Sequence, residues 1–254
     1  YSKDRNDWYQ ISDLVENTIS DILYQNDTLW VAAGKGVAVF PWKGTDYKFK
    51  DFYKNFNILP NQVSKIELFA KRIWLGTDRG LFYAPSDINK YTINNPELWQ
   101  IYSTANGLTN DIVLDLEVID NTLWVGTAAG VVTVDIQLEL NIENHWGLTS
   151  QDGANAITST GGNIYIASAS DKSYYQFIRN SGKILQITFR NNINCLKSDP
   201  DQNLWAGTNG DGIYRSNYAN LLKLDGPGVS AVRYVIKDSD NNIWTSSGKF
   251  KLTP

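Results

Sequence analysis

His145 and Cys195 are the sole histidine and cysteine in a chain of 254 residues. A Ser-His-Asp triad would have to use His145, and a Cys-His pair would need Cys195 beside it. Together they are too few for a common Cys/His zinc site, and no disulfide can form within the chain. His145 sits in Asn144-His145-Trp146-Gly147, which reads as an outer strand. Cys195 follows Ile193-Asn194 on an inner strand and reads as a small apolar filler. Two runs have the D-x-D-x-N form that begins many calcium loops: Asp199-Pro200-Asp201-Gln202-Asn203 and Asp238-Ser239-Asp240-Asn241-Asn242. Calcium takes roughly six to eight oxygens, and neither run has the Gly and distal Glu of a complete loop. Both read as hairpin turns whose Asp side chains cap backbone amides. The open routes to catalysis are a carboxylate pair or a carboxylate-held metal, drawn from 27 Asp and Glu residues.

Composition narrows the partners. The formal net charge is −4 with no basic block, which argues against nucleic acid. No window of roughly 18 apolar residues exists, so no transmembrane helix is expected. Hydrophobic residues make up 42% and charged residues 20%, the balance of a globular chain with a real core. With no Met and no visible signal peptide, the segment reads as a processed chain or an excised piece of a longer one.

The nine Trp residues are used systematically. Leu29-Trp30-Val31-Ala32-Ala33 returns as Ile73-Trp74-Leu75-Gly76-Thr77 and Leu123-Trp124-Val125-Gly126-Thr127. It returns again as Ile164-Tyr165-Ile166-Ala167-Ser168, Leu204-Trp205-Ala206-Gly207-Thr208 and Ile243-Trp244-Thr245-Ser246-Ser247. The aromatic anchors are 44, 50, 41, 40 and 39 residues apart. A four-stranded propeller blade takes about 40–45 residues. Each anchor segment is apolar on both faces, as a strand covered on both sides must be. The small residues after the anchor let neighbouring backbones approach.

The flanks supply the other strands. Inner runs precede the anchors at 19–24, 63–69, 112–119 and 229–237, with polar hairpin turns between run and anchor. Asn, Asp and Gly in those turns suit positive φ. A Gly and an apolar third strand follow the anchor at Gly36-Val37, Gly80-Leu81, Gly130-Val131 and Gly212-Ile213, and outer strands are expected at 49–53, 98–102, His145-Trp146 with its flanks, 184–189 and 221–224. Residues 86–97 are an insertion that accounts for the 50-residue spacing. Trp8-Tyr9-Gln10-Ile11 resembles the outer strand Leu98–Tyr102 and is expected to complete the last blade. The expectation is an all-β, six-bladed propeller, four antiparallel strands per blade, as a single domain over residues 1–254 closed by the N-terminal strand.

The repeats resemble the two-component regulator propeller repeat. The match is best from Tyr102 through Asn106-Gly107-Leu108-Thr109-Asn110 and Leu123-Trp124-Val125-Gly126-Thr127 to Gly130-Val131, and it is good again around Asn203–Tyr214. The fourth repeat departs most, with Tyr165 for Trp and Ala167-Ser168 for Gly-Thr. The resemblance implies a periplasmic or extracellular sensor propeller that binds oligosaccharides or other environmental ligands, often ahead of a signalling domain.

In such a propeller, loops entering the inner strands and turns after the second strands converge at one end. They hold Lys35, Asp78, Arg79, Asn110, Asp111, Asp152, Asn155, Asn192, Asp211 and Lys249 as the candidate ligand-binding set, beside Asn17, Asn61, Gln62, Asp171, Asn191 and Asn209. Such polar groups can hydrogen-bond a glycan, a peptide or a protein partner. Taken one at a time, each also reads as an ordinary solvated loop residue. Trp42, Trp99, Trp146 and Tyr174-Tyr175 are aromatics that could stack on sugar rings, with blade packing as the competing reading for Trp99 and Trp146. No catalytic residue, metal or cofactor is expected, and recognition is the leading function. The alternative is a hydrolase or lyase of six-bladed type with a metal in the channel, for which Glu67, Asp111, Asp115 and Asn194 lie on or beside inner strands.

Overall fold

The computed structural model describes residues 18–43, 46–47, 49–54, 56, 58–142, 152–217, 220–223, 232–237 and 243–247. Two compact units are present: Tyr1–Asn106 with Asp111–Val113, and Gly107–Asn110 with Leu114–Pro254.

The first unit has two sheets. One contains β1 (Ile19–Gln25), β2 (Thr28–Ala33) and β3 (Gly36–Lys43), with β4 (Asp46–Tyr47) and β5 (Asp51–Tyr53) both paired to β3. The other is β6 (Val63–Phe69), β7 (Arg72–Thr77), β8 (Gly80–Pro85) and β9 (Gln100–Tyr102). In the second unit, β10 (Val113–Ile119) begins a sheet at the unit boundary and is followed by β11 (Thr122–Thr127), β12 (Gly130–Val134) and β13 (Leu140–Ile142). Two more four-stranded sheets follow: β14 (Ala154–Thr160), β15 (Asn163–Ser168), β16 (Ser173–Ile178) and β17 (Lys183–Thr188), then β18 (Ile193–Ser198), β19 (Leu204–Thr208), β20 (Ile213–Asn217) and β21 (Asn220–Lys223). Finally β22 (Val232–Lys237) pairs with β23 (Ile243–Ser247). Neighbouring strands run antiparallel in sequence order, so the all-β meander holds as expected. Five sheets of four or more strands are seen among the described residues. The segment Trp8–Ile11, expected as the closing strand, and the outer half of the sixth repeat lie outside them.

Anchor residues pack as their spacing predicts. Trp30, Trp74, Trp124 and Trp205 are buried. Trp30 and Ala32 share a cluster with Val63 and Ile66 of the next sheet, and Trp124 shares one with Ala154 and Ile157. The small residue two places after the anchor sits against the first residue of the next inner strand. A Cβ on Gly76 would lie 2.8 Å from Val113 Cγ1, on Gly126 2.4 Å from Ala154 O, and on Gly207 2.8 Å from Val232 Cγ1. Side chains there would force the sheets apart.

Inner strands are latched in series. Ser64 Oγ donates to Val113 O at 2.9 Å, Asn155 Nδ2 to Ile193 O at 2.8 Å, and Asn194 Nδ2 to Val232 O at 2.9 Å. Each acceptor is the first residue of its strand, and each donor lies at a register shift one residue into its own. The bulge turns an outward polar side chain across the gap. Asp21 and Asp115, one residue further along, accept instead from the N–H of Ile66 (3.0 Å) and Ile157 (2.6 Å). In the second unit the Lys197 ammonium also meets the Glu117 carboxylate at 3.0 Å, joining inner strands two sheets apart.

Among the described residues the outer strand of the third sheet covers Leu140–Ile142, preceded by a tight turn in which Asp135 Oδ1 accepts from the N–H of Gln137 and Glu139 at 2.9 Å. His145 and Trp146 lie outside the described residues. The β6–β7 turn is Ala70-Lys71 with φ of 49° and 58°, the same left-handed pair that Asp120-Asn121 forms with 49° and 60°. Ala and Lys carry no signal for it, and the ladder imposes the geometry at a cost of about 1 kcal/mol per residue. The insertion is packed, with Ile88 and Ile93 buried and Trp99 Nε1 donating to Ile93 O at 2.7 Å.

Candidate ligand-binding face

Antiparallel order brings the entry to each inner strand beside the turn after its second strand. Gly34 N–H donates to Thr18 O at 2.9 Å, Ala169 N–H to Gly153 O at 2.7 Å, and Asn209 N–H to Asn192 O at 2.8 Å. Side chains join the same loops. Thr109 and Thr127 hydroxyls meet at 2.8 Å, and Ser170 Oγ donates to Asp152 Oδ1 at 2.6 Å. Adjacent sheets share this end: Val63 N–H donates to Gly34 O at 2.8 Å in the first unit, and in the second Gly153 abuts the Thr127 and Ala128 carbonyls.

The acidic members of the candidate set are engaged in loop structure. Asp78 accepts from Asn61 N–H at 2.8 Å, Asn61 Nδ2 at 2.6 Å and Gln62 N–H at 3.3 Å. Burial pushes its carboxyl up, but these Asn61 and Gln62 bonds together hold it below its ordinary value. Asp111 accepts from Thr104 N–H at 2.6 Å and pins the short helical turn Thr104–Asn106. Asp211 accepts from Tyr214 OH at 2.5 Å. That phenol is pushed up to about 12, by burial first and then by the Asp211 bond and charge. Asp152 holds Ser170, and Asn155 serves as an inter-sheet latch.

Lys35, Arg79 and Asn192 present exposed side chains in the same loops, while Asn110 is half-buried. Asn61, Gln62 and Asn209 are exposed, and Asn191 is half-buried. Lys249 and Asn17 fall outside the described residues. The arrangement therefore places Lys35, Asp78, Arg79 and Asp111 on loop ends of the first unit, and Asn110, Asp152, Asn155, Asn192 and Asp211 in the second.

Hydroxyls were missed by a reading weighted toward charge. Ser20 accepts from Gln62 Nε2 at 2.9 Å. The Thr closing the second, third and fifth anchor motifs clamps its hairpin: Thr77 Oγ1 donates to Gly80 O at 2.8 Å and accepts from Arg79 N–H at 3.0 Å, and Thr127 and Thr208 repeat this. The recurring final Thr was a signal in plain view. Gln186 was also missed; its Nε2 donates to Ser173 Oγ and to Tyr175 OH, both at 3.2 Å, in a polar group with Asp171.

The residues weighed for a channel metal are occupied. Asp115 is buried on Ile157 N–H, Asn194 on Val232 O, and Glu67 Oε1 accepts from Leu68 N–H at 2.9 Å. Among the described residues no three His, Cys, Asp or Glu side chains come together to hold an ion. Asp199 of the first D-x-D-x-N run is buried and accepts from Asn203 N–H at 2.9 Å, Asn203 Nδ2 at 3.0 Å and the anchor Trp205 Nε1 at 2.9 Å. It behaves as a turn cap. Tyr174, Tyr175 and Trp99 are buried, so their rings pack within the sheets.

Comparison with known proteins agrees with this architecture. The two-component regulator propeller family pattern matches residues 189–210, the entry to β18 through the Trp205 motif. The extracellular domain of BT4673 of B. thetaiotaomicron, assigned to a one-component system, superposes with a TM-score of 0.71 at 19% identity over 90% of this chain and 32% of that one. The extracellular domain of BT3049 from the same organism, assigned to a hybrid two-component system, gives 0.53 at 18% identity over 90% and 38%. YCF48 bound to D1 peptide gives 0.60 at 13% identity over 91% and 75%. A curated relative, the RNA helicase NPH-II of Melanoplus sanguinipes entomopoxvirus, is 35% identical over 112 residues, 43% of this chain and 14% of that protein. The chain thus spans about a seventh of that relative and about a third of the two extracellular domains. No helix among the described residues is long and apolar enough to cross a membrane. Residues 189–210 match the two-component regulator propeller repeat, and the chain has a β-propeller-type fold like that of these extracellular domains.

Proposed function

We propose that this chain is a non-catalytic recognition propeller, binding a glycan, peptide or protein on the face made by the entry loops and second-strand turns. The observation that carries this reading is the state of that face. In the first unit Asp78 and Asp111 are engaged in loop hydrogen bonds while Lys35 and Arg79 present exposed donors, and in the second Asp211 is bonded to Tyr214 while Asn192 presents an exposed amide. Fixed backbone with exposed donors suits reversible recognition. The sensor-type repeat supports an extracellular or periplasmic location and a signalling domain or larger assembly beyond this segment. The same reading takes residues 1–254 as one six-bladed domain whose last blade is completed by the N-terminal strand.

Glycan-array and peptide-array binding tests the proposal, with Lys35→Ala and Arg79→Ala in one variant and Asn192→Ala in another. Saturable binding that weakens at least tenfold in either variant, with unchanged unfolding, is the expected result. Binding indifferent to both, or substrate turnover in place of binding, overturns it.

A further inference from the structure

We propose that the candidate face of the first unit takes an acidic peptide with branched apolar side chains. The proposal rests on the recognition reading above and names the ligand class that this end of the unit fits. Five loop ends are tied together there. Val63 N–H donates to Gly34 O at 2.8 Å, which holds the turn carrying Lys35 beside the entry to β6. Asn61 donates to Asp78 from its backbone at 2.8 Å and from Nδ2 at 2.6 Å, which holds the turn carrying Arg79 beside the same entry. Ser64 Oγ donates to Val113 O at 2.9 Å and brings in the entry to β10. A Cβ on Gly36 would lie 2.4 Å from Tyr53 O and 3.2 Å from Lys54 Cβ, so the end of β5 meets the Lys35 turn.

Two kinds of side chain stand out from these loop ends. Ile58, Leu59 and Ile112 are 49%, 62% and 46% exposed. Branched apolar groups held in water by tied loops gain by being covered. Lys35, Lys54 and Arg79 are exposed cations, and none of them forms an ion pair among the described residues. The carboxylates of the same loops are already taken up: Asp78 by Asn61 and Gln62, Asp111 by Thr104. The charge left facing outward is therefore positive and is complemented by carboxylates. A peptide carries carboxylates and aliphatic side chains on one short chain, and a neutral glycan carries neither. Sugar rings bind on flat aromatic faces. Among the described residues of this unit the exposed aromatics are Tyr24 and Phe49, and both stand at the other end. Tyr24 precedes the β1–β2 turn, and Phe49 packs on Phe40 ahead of β5.

Selection of a random octapeptide display library on the full 254-residue chain is the test, followed by fluorescence anisotropy of the best peptide. The expected result is joint enrichment of Asp or Glu with Ile, Leu or Val, and binding that weakens as salt rises. Lys35→Ala, Lys54→Ala and Arg79→Ala in one variant should weaken that peptide at least about tenfold and flatten its salt dependence. Leu59→Ser with Ile112→Ser should weaken it by about as much and leave the salt dependence in place. Lys183→Ala, on β17 of the second unit, leaves binding unchanged. Should either multiple variant lose stability, hydrogen exchange on the unaltered chain decides the matter, with the peptide expected to protect amides within 58–62 and 111–113. Selected peptides that are basic or lack apolar residues, or a peptide indifferent to both variants, overturn the proposal. Saturable glycan binding at this face in place of peptide overturns it and leaves the recognition reading standing, and a face that binds neither overturns both.

Discussion

The second and fourth sheets share strand order and inter-sheet latch but fill their cores with different material. In the second, Trp74 is wholly buried, donates from Nε1 to Phe69 O at 3.0 Å, and stacks on Tyr83 at 4.5 Å. In the fourth, the anchor is Tyr165, half-buried, with Tyr174 5.9 Å away and Phe189 beyond it. The small residue of the motif follows the same division: Gly76 in one, Ala167 in the other. What the repeat conserves physically is filled volume between sheets, delivered by the second strand in one case and spread to the third and outer strands in the other.

Truncating the anchors should break this contrast most visibly. Trp74→Ala is expected to lower unfolding free energy by roughly 4 kcal/mol and Tyr165→Ala by about 2, because neighbouring rings already share the load in the fourth sheet. Chemical denaturation measures both, and equal losses would show that the anchors are equivalent after all. Next in size is the small residue. Gly76→Ala should cost about 2 kcal/mol, since its Cβ would meet Val113 Cγ1, whereas Ala167→Gly should cost about 1 kcal/mol. A smaller effect is expected at the latches, where Ser64→Ala and Asn155→Ala should each cost about 1 kcal/mol in the same measurement.

Titration separates the sheets at both ends of the pH range. Tyr174 is pushed up to about 12 by burial, then by Tyr165, and Tyr175 to about 12 by burial and the Asp171 and Asp152 charges. Both favour the protonated form in the folded chain. Their contribution is complete below pH 10 and disappears as pH rises toward about 12, so alkaline unfolding should coincide with their ionisation in ultraviolet absorbance. Tyr174→Phe should move that transition upward. Asp78 in the second sheet works in the opposite sense. Its lowered carboxyl contributes above its ordinary value of 3.8, and the contribution is lost as pH falls through the lowered one. Asp78→Asn is expected to reduce the acid dependence of the melting temperature slightly and to loosen the Asn61–Gln62 loop by hydrogen exchange, the smallest effect of the series.

Much of this was legible beforehand. The inner run Val63–Phe69 has the expected bounds, and the turns at Asn26-Asp27, Asp120-Asn121 and Gly161-Gly162 take the positive φ their residues favour. Ala70-Lys71 was not legible, since the ladder overrides its preference. The candidate face was legible as a set of loops and only partly as chemistry. Asn155 and Asp115 look like site residues in the sequence, and both are tied to the backbone of a neighbouring inner strand.

The residue types at a period near 43 determined the repeat, the strand alternation and most of the turns, which depend on contacts within one hairpin, and they marked the anchors, whose segments are apolar on both faces. Tertiary structure alone decided which polar groups stay available to a ligand. Asp78 meets Asn61 17 residues away, Asn155 meets Ile193 38 away, and Asp21 meets Ile66 45 away. Whether a carboxylate or an amide is spent on the scaffold or left for recognition depends on which strand end packing brings within hydrogen-bond reach. No local pattern of residue types encodes that distance.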